Sequence, residues 1–242
     1  MNQDWMIDES LERFYLLIER LRASTNGERT LASCTAKTGW PVRGVYFFFD
    51  PAECLNDGRP RVVRIGTHAI TDGSSTTLWN RLSQHRGYRA RDTGLLSGNH
   101  RGSVFRRHVG DAIIASDKQY AVIASAWGVG TNASRNVKKT EQPLELAVSS
   151  YIGDLRVLWL SVPDEPSPLS DRGAIERNVI SLLSSLRGKE QFTPSFDWLG
   201  RFSPRSEIRT SGLWNIRHVG RVFDATGLDL LEKWVSRADG TE

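Results

Sequence analysis

Arg81 and His85 lie four residues apart in a segment, Leu78 to Gly87, whose Leu78 and Leu82 mark the buried stripe of a short helix. At about 100° per residue, the two basic side chains share the border of that stripe and can face one site. A third candidate is Glu176. The wheel of a helix read from Ser170 or Asp171 to Leu186 puts it between Leu183 and Ile180, aimed toward the core side. An ionised carboxylate buried without compensation costs several kcal/mol. Glu176 therefore needs a cation, and either Arg172 one turn earlier or a metal ion can supply it. A guanidinium, a second basic side chain and a lone metal-binding carboxylate are among the parts needed to cut a phosphodiester.

The charge pattern supports a polyanionic partner. The chain has 242 residues, 26 of them Arg and 6 Lys, and the planar Arg fork matches phosphate oxygens bidentately. A net charge of +4 and a pI near 9.3 are only mildly basic, so the distribution says more than the sum. Arg81, Arg86, Arg89, Arg91, Arg101, Arg106 and Arg107 fall between Arg81 and His108, with Asp92 the only acid among them. Such a run is either a solvated face or a surface that grips nucleic acid. His68, His100, His108 and His218 show no paired ligand spacing and read as surface or phosphate-contacting residues.

The positioning elements follow from periodicity and turn chemistry. Ile7 to Arg22 carries apolar residues at three- and four-residue steps, an amphipathic helix. Val42 to Asp50 and Arg61 to Gly66 read as two antiparallel strands around the turn Asn56-Asp57-Gly58. Ser75 or Thr76 can cap the helix that carries Arg81, and Gly87 can end it. Ser103 to Ala115 reads as a second helix and Pro143 to Ile152 as a shorter third, with the polar stretch Ser116 to Gln142 between them as an inserted loop region. Arg156 to Val162 is a third strand stopped by Pro163, and Gly188 is the stop signal after the Glu176 helix. A last helix runs near Leu228 to Arg237.

A hydrophobic content of 39% suits a packed protein. The longest apolar stretches fall far short of the roughly 20 residues needed to span a bilayer, and the acidic start is unlike a signal peptide. A cytoplasmic protein with no membrane partner is expected. Cys34 and Cys54 have no metal-ligand spacing and read as reduced thiols.

Gly44-Val45-Tyr46, then Arg64-Ile65-Gly66, then Arg81 with His85, then Glu176 on a helix after the third strand resemble, in this order, the GIY-YIG nuclease superfamily over about residues 40–190. The resemblance implies an α+β fold, a small three-stranded antiparallel sheet flanked by helices. The core would occupy 40–190 with an insertion at 116–142, preceded by a helical extension over 1–39 and followed by a C-terminal extension over 191–242. It implies an endonuclease that cleaves DNA with one divalent metal ion, Mg²⁺ or Mn²⁺. Tyr46 holds the position of the motif tyrosine that helps deprotonate the attacking water, Arg81 that of the catalytic arginine, His85 that of the basic residue one turn later, and Glu176 that of the metal ligand. Arg64 stands where the second motif has a tyrosine. It signals either a degraded site or a cation that favours the phenolate of Tyr46. Tyr151-Ile152-Gly153 spells the missing motif but lies beyond two helices and is set aside. An asparagine usually follows the glutamate in the family, and Asn215 is the candidate, or else it satisfies irregular backbone. Arg86, Arg89, Arg91, Arg101, Arg106 and Arg107 would grip DNA. The oligomeric state is open, a homodimer included. The rival expectation is a non-catalytic nucleic-acid-binding module whose site has decayed at Arg64.

Overall fold

The computed structural model describes residues 3–25, 27–89, 96–186 and 192–241. The expected sheet is present with one strand more than expected: it has four strands, β1 (Arg29–Thr30), β6 (Arg156–Ser161), β2 (Gly44–Cys54) and β3 (Pro60–Gly66), side by side in that order and antiparallel throughout. The extra strand, β1, is two residues long and pairs with Val157 and Arg156 of β6. A two-residue strand carries no readable period, and only its tertiary partner defines it. Tyr88–Arg89 (β4) and Leu96–Ser97 (β5) form a separate two-stranded ribbon.

Alternation along the strands divides the molecule into two layers. Val45, Phe47 and Phe49 of β2 pack with α1 (Gln3–Ser24), α5 (Asp171–Ser185) and α7 (Thr226–Asp239) in one core. Tyr46 and Phe48 face the other core, built with α2 (Leu78–Arg86), α3 (Val104–Ser116) and α4 (Arg135–Asp154). A short α6 (Ser206–Ser211) leads into Leu213 and Trp214, which run beside β3.

Two corrections to the sequence expectations have clear causes. β2 continues through Pro51 to Cys54, because its pairing with β3 shifts register between Phe49 and Cys54 and releases the ladder bonds a proline cannot make. The helix expected at Pro143 begins at Arg135, capped by the Ser134 hydroxyl, and passes through Pro143 for 20 residues. Glu141, Leu144, Glu145 and Val148 form its buried stripe. Two glutamates in that stripe hide its apolar periodicity in the sequence; buried arginines neutralise them in the fold. The rest of the expected loop region holds a 3₁₀ turn, Lys118–Ile123, with Ile123 and Trp127 buried.

Candidate active site

The two motif glycines are explained by close approach. A Cβ on Gly44 would lie 2.3 Å from the Leu160 carbonyl oxygen, and one on Gly66 would lie 2.2 Å from the Tyr46 hydroxyl. Tyr46 is paired with Gly66 across the ladder, so the missing side chain leaves the room in which the phenol lies. Gly66 ends β3.

Tyr46 is fully buried and its hydroxyl lies 2.9 Å from Nε2 of His85. The other ring nitrogen, Nδ1, lies 2.7 Å from the Ser103 hydroxyl. Ser103 is also the N-cap of α3, accepting the Arg106 backbone N–H. A cap position is readable in sequence; its reach to His85, 18 positions away, is not. Burial first, then the charges of Arg81, Arg64 and Arg106, hold His85 well below the usual imidazole value, so the ring is neutral at physiological pH. His85 thus lies inside the second core rather than on the border of its helix. α2 itself is capped by Thr77, one residue beyond the expected Ser75 or Thr76, and ends at Gly87 as expected.

Arg64 sits on the Tyr46 face. It pairs with Phe48 across the ladder, its guanidinium stacks 4.5 Å from the centre of the Phe105 ring, and Nη1 donates to the Trp214 carbonyl at 2.8 Å. Its Nε is buried without a partner. Arg81 is partly exposed; its fork donates to Gln84 Oε1 at 3.2 Å and joins no ion pair among the described residues.

Glu176 approaches from α5, in the layer on the opposite side of the sheet from α2. Arg172 does not neutralise it: that guanidinium is fully buried and pairs with Asp164 while donating to the Asp164 and Ala69 carbonyls. Glu176 makes no ion pair within 4 Å among the described residues. The residue keeps some exposed surface, yet burial is the largest influence on its carboxyl and pushes it above the usual range. Arg64, a hydrogen bond from the Thr67 backbone, Arg81 and Arg177 pull the other way without prevailing. Two of the arginines that bear on Glu176, Arg64 and Arg81, also bear on His85, which brings the acid, the guanidinium groups and the imidazole–phenol pair into one electrostatic neighbourhood.

Asn215 lies elsewhere in purpose. Its Oδ1 accepts the Ile65 N–H at 3.1 Å and its Nδ2 donates to the Ile65 carbonyl at 2.8 Å, so both ends of the amide brace the outer edge of β3. The arginine-rich run is mostly turned inward. Arg106 is fully buried against Glu145, Arg101 forks onto Glu141 with two 2.7 Å bonds, and Arg86 donates to the Cys34 carbonyl and stacks on Trp79. Phosphate contact by these three would first have to break those bonds. Arg107 is exposed. For Arg89 only the backbone pairing in the ribbon is described, and Arg91, like Gly188, lies outside the described residues.

The histidines correct a further expectation: His68, His100 and His108 are buried rather than at the surface. His68 adjoins Thr67, and its Nδ1 bonds the Thr76 carbonyl at 2.9 Å. Tyr151 of the discarded motif copy donates to Asp50 at 2.8 Å, away from Tyr46. Both cysteines are free thiols. No described helix is long and apolar enough to cross a membrane.

Comparison with curated proteins and with solved structures returns no match. A family model described as the GIY-YIG domain matches residues 6–241. With that match over nearly its whole length, the chain belongs to the GIY-YIG nuclease superfamily.

Proposed function

We propose that this protein is a divalent-metal-dependent DNA endonuclease whose site comprises Tyr46, His85, Arg64, Arg81 and Glu176. The observation that carries the reading is the state of Glu176, a desolvated carboxylate near several cations but paired with none of them within 4 Å among the described residues. Such a group fits Mg²⁺ or Mn²⁺. It offers hard oxygen donors, and a single protein carboxylate leaves most coordination positions to water and phosphate oxygens, as Mg²⁺ prefers. Among the described residues no three His, Cys, Asp or Glu side chains gather as a metal site, so Glu176 alone would hold the ion. When bound, the metal supplies positive charge to the phosphate and acidifies its bound water.

The side chains would divide the remaining work. Arg81, whose fork meets no carboxylate among the described residues, would neutralise charge growing on the phosphate oxygens. Arg64 is held by Trp214 and Phe105 and adds a fixed positive field at the Tyr46 face. His85, neutral and fixed by Ser103, offers a ring nitrogen to the phenol oxygen. Tyr46 would pass its phenolic proton to Nε2 of His85 while taking one from the attacking water, as the water oxygen bonds phosphorus. One phosphorus–oxygen ester bond breaks in the same step, and the leaving oxygen takes a proton from solvent. Asn215 is best read as a brace of β3 rather than a reacting group.

Supercoiled plasmid incubated with the protein should be nicked or linearised with Mg²⁺ and left intact with EDTA. Glu176→Ala and Arg81→Ala should lose cleavage while keeping the circular dichroism of the parent. Salt-sensitive DNA binding without any metal-dependent cutting would instead support the non-catalytic module.

A further inference from the structure

With Arg86, Arg101 and Arg106 committed to internal partners, the backbone of a long substrate needs other cations. Arg135, Lys138 and Lys139 follow the i, i+3, i+4 spacing that places side chains on one face of α4. All three are exposed and join no ion pair among the described residues. Together with Tyr88, Asn99 and Gln142 they line an open cleft of about 910 Å³.

Two features make this cleft electropositive. The acids in its wall, Glu141 and Glu145, are already neutralised by Arg101 and Arg106, so they do not offset the rim. The three cations also occupy the opening turns of a helix that has no acid in its first turn. That end of a helix favours negative charge, and clustering cations there costs stability in the free protein that an anion would return. The cleft adjoins the site described above: Arg106 donates to the His85 carbonyl at 3.0 Å and to the Glu145 carbonyl at 3.0 Å, and Tyr88 follows His85 by three positions on leaving α2.

We propose that this cleft binds the phosphodiester backbone of the DNA flanking the cut position, with Arg135, Lys138 and Lys139 as the phosphate contacts. The assignment rests on the nuclease reading above. Phosphate contacts of this kind fix position and orientation without reading sequence, so they suit any cleavage specificity.

The test is fluorescence anisotropy of a labelled DNA duplex with the full chain in EDTA, over a salt series. The triple reversal Arg135→Glu, Lys138→Glu, Lys139→Glu should bind at least about 100-fold more weakly at low salt. Its log affinity against log salt should be shallower by about 2.7, at roughly 0.9 per phosphate contact. Lys233→Glu on α7, in the opposite layer, should leave the slope unchanged. The triple variant should melt no lower than the parent, because glutamates at the start of α4 complement the helix dipole. A parental slope in the triple variant overturns the proposal, as does a parent that binds no duplex. Tighter binding of duplex RNA than of duplex DNA, lost in the triple variant, overturns the DNA assignment. A protein that binds through this cleft but cuts nothing with Mg²⁺ removes the nuclease reading and leaves the cleft standing.

Discussion

Glu145 and Glu176 are both inward-facing helical glutamates within reach of arginine charge, and the fold treats them oppositely. Burial acts to raise the Glu145 carboxyl, but the hydrogen bond from His100 and the charge of Arg106 outweigh it and hold it below the usual range. Burial also raises Glu176, and there nothing outweighs it. One acid closes a structural network that ties α4 to α3 and to the segment before it; the other has no ion-pair partner within 4 Å among the described residues. Under the proposed function, the carboxylate that serves chemistry is the one lacking the partner that a structural acid acquires.

The widest separation between the two should come from Glu176→Gln and Glu145→Gln. The first should reduce cleavage by at least about 10³-fold, in line with loss of a metal ligand and its charge stabilisation. It should also raise the melting temperature of the metal-free protein at neutral pH. The sign follows from the raised carboxyl: the stability it confers is fully present below the ordinary carboxyl range and is lost as pH rises through the raised value, whereas glutamine never ionises. Glu145→Gln should instead leave Arg106 buried without its counter-charge and destabilise the fold by about 3–5 kcal/mol. Saturating Mg²⁺, at about 100 times its Kd, should stabilise the parent by about 2.7 kcal/mol and the Glu176 variant not at all. Equal effects of the two substitutions on melting would erase the distinction.

A second pair sharpens it with arginines. Arg81→Ala should lower kcat by about 10²–10³-fold with little change in melting, because that fork carries no ion pair among the described residues. Arg101→Ala should act in the other direction, destabilising the protein by about 3 kcal/mol through an orphaned Glu141. The quantities to compare are kcat from plasmid cleavage and the midpoint of urea unfolding.

The imidazole that serves the phenol gives smaller effects. Tyr46→Phe should cost about 10²-fold in rate. Ser103→Ala should cost about 10-fold through loss of His85 orientation, together with about 1 kcal/mol from the lost N-cap of α3. Ser103→Thr, which keeps the hydroxyl, should restore both. Recovery of stability without recovery of rate would confine Ser103 to a capping role.

A further expectation concerns acid. His85 is held well below the usual value and His68 is pushed down to about 4, each chiefly by burial. Depressed histidines confer stability that is fully present above the unfolded value of about 6.5 and lost as pH falls through their folded values. His68 alone should account for on the order of 2–3 kcal/mol between about pH 6.5 and pH 4. Urea unfolding across that window should show the loss, and His68→Gln should reduce it.

Much of the architecture was legible from neighbours in the chain. The β2–β3 hairpin, the third strand, the helices carrying Arg81 and Glu176 and the GIY-YIG resemblance all followed from alternation, helical spacing, caps and glycines, because these are set over a few residues. β1 and the start of α4 were not legible, since one has only two residues and the other hides its buried stripe behind glutamates. The arginine run shows the limit most clearly: seven arginines in one segment read as a phosphate surface, yet Arg101 and Arg106 face Glu141 and Glu145, which lie 40 and 39 positions away. Sequence by itself determined which charged groups the protein has and on which elements they ride. Only the tertiary structure decided which acid gains a partner and which is left without one, because an ion pair depends on distance and desolvation in space, and neither is encoded in local spacing.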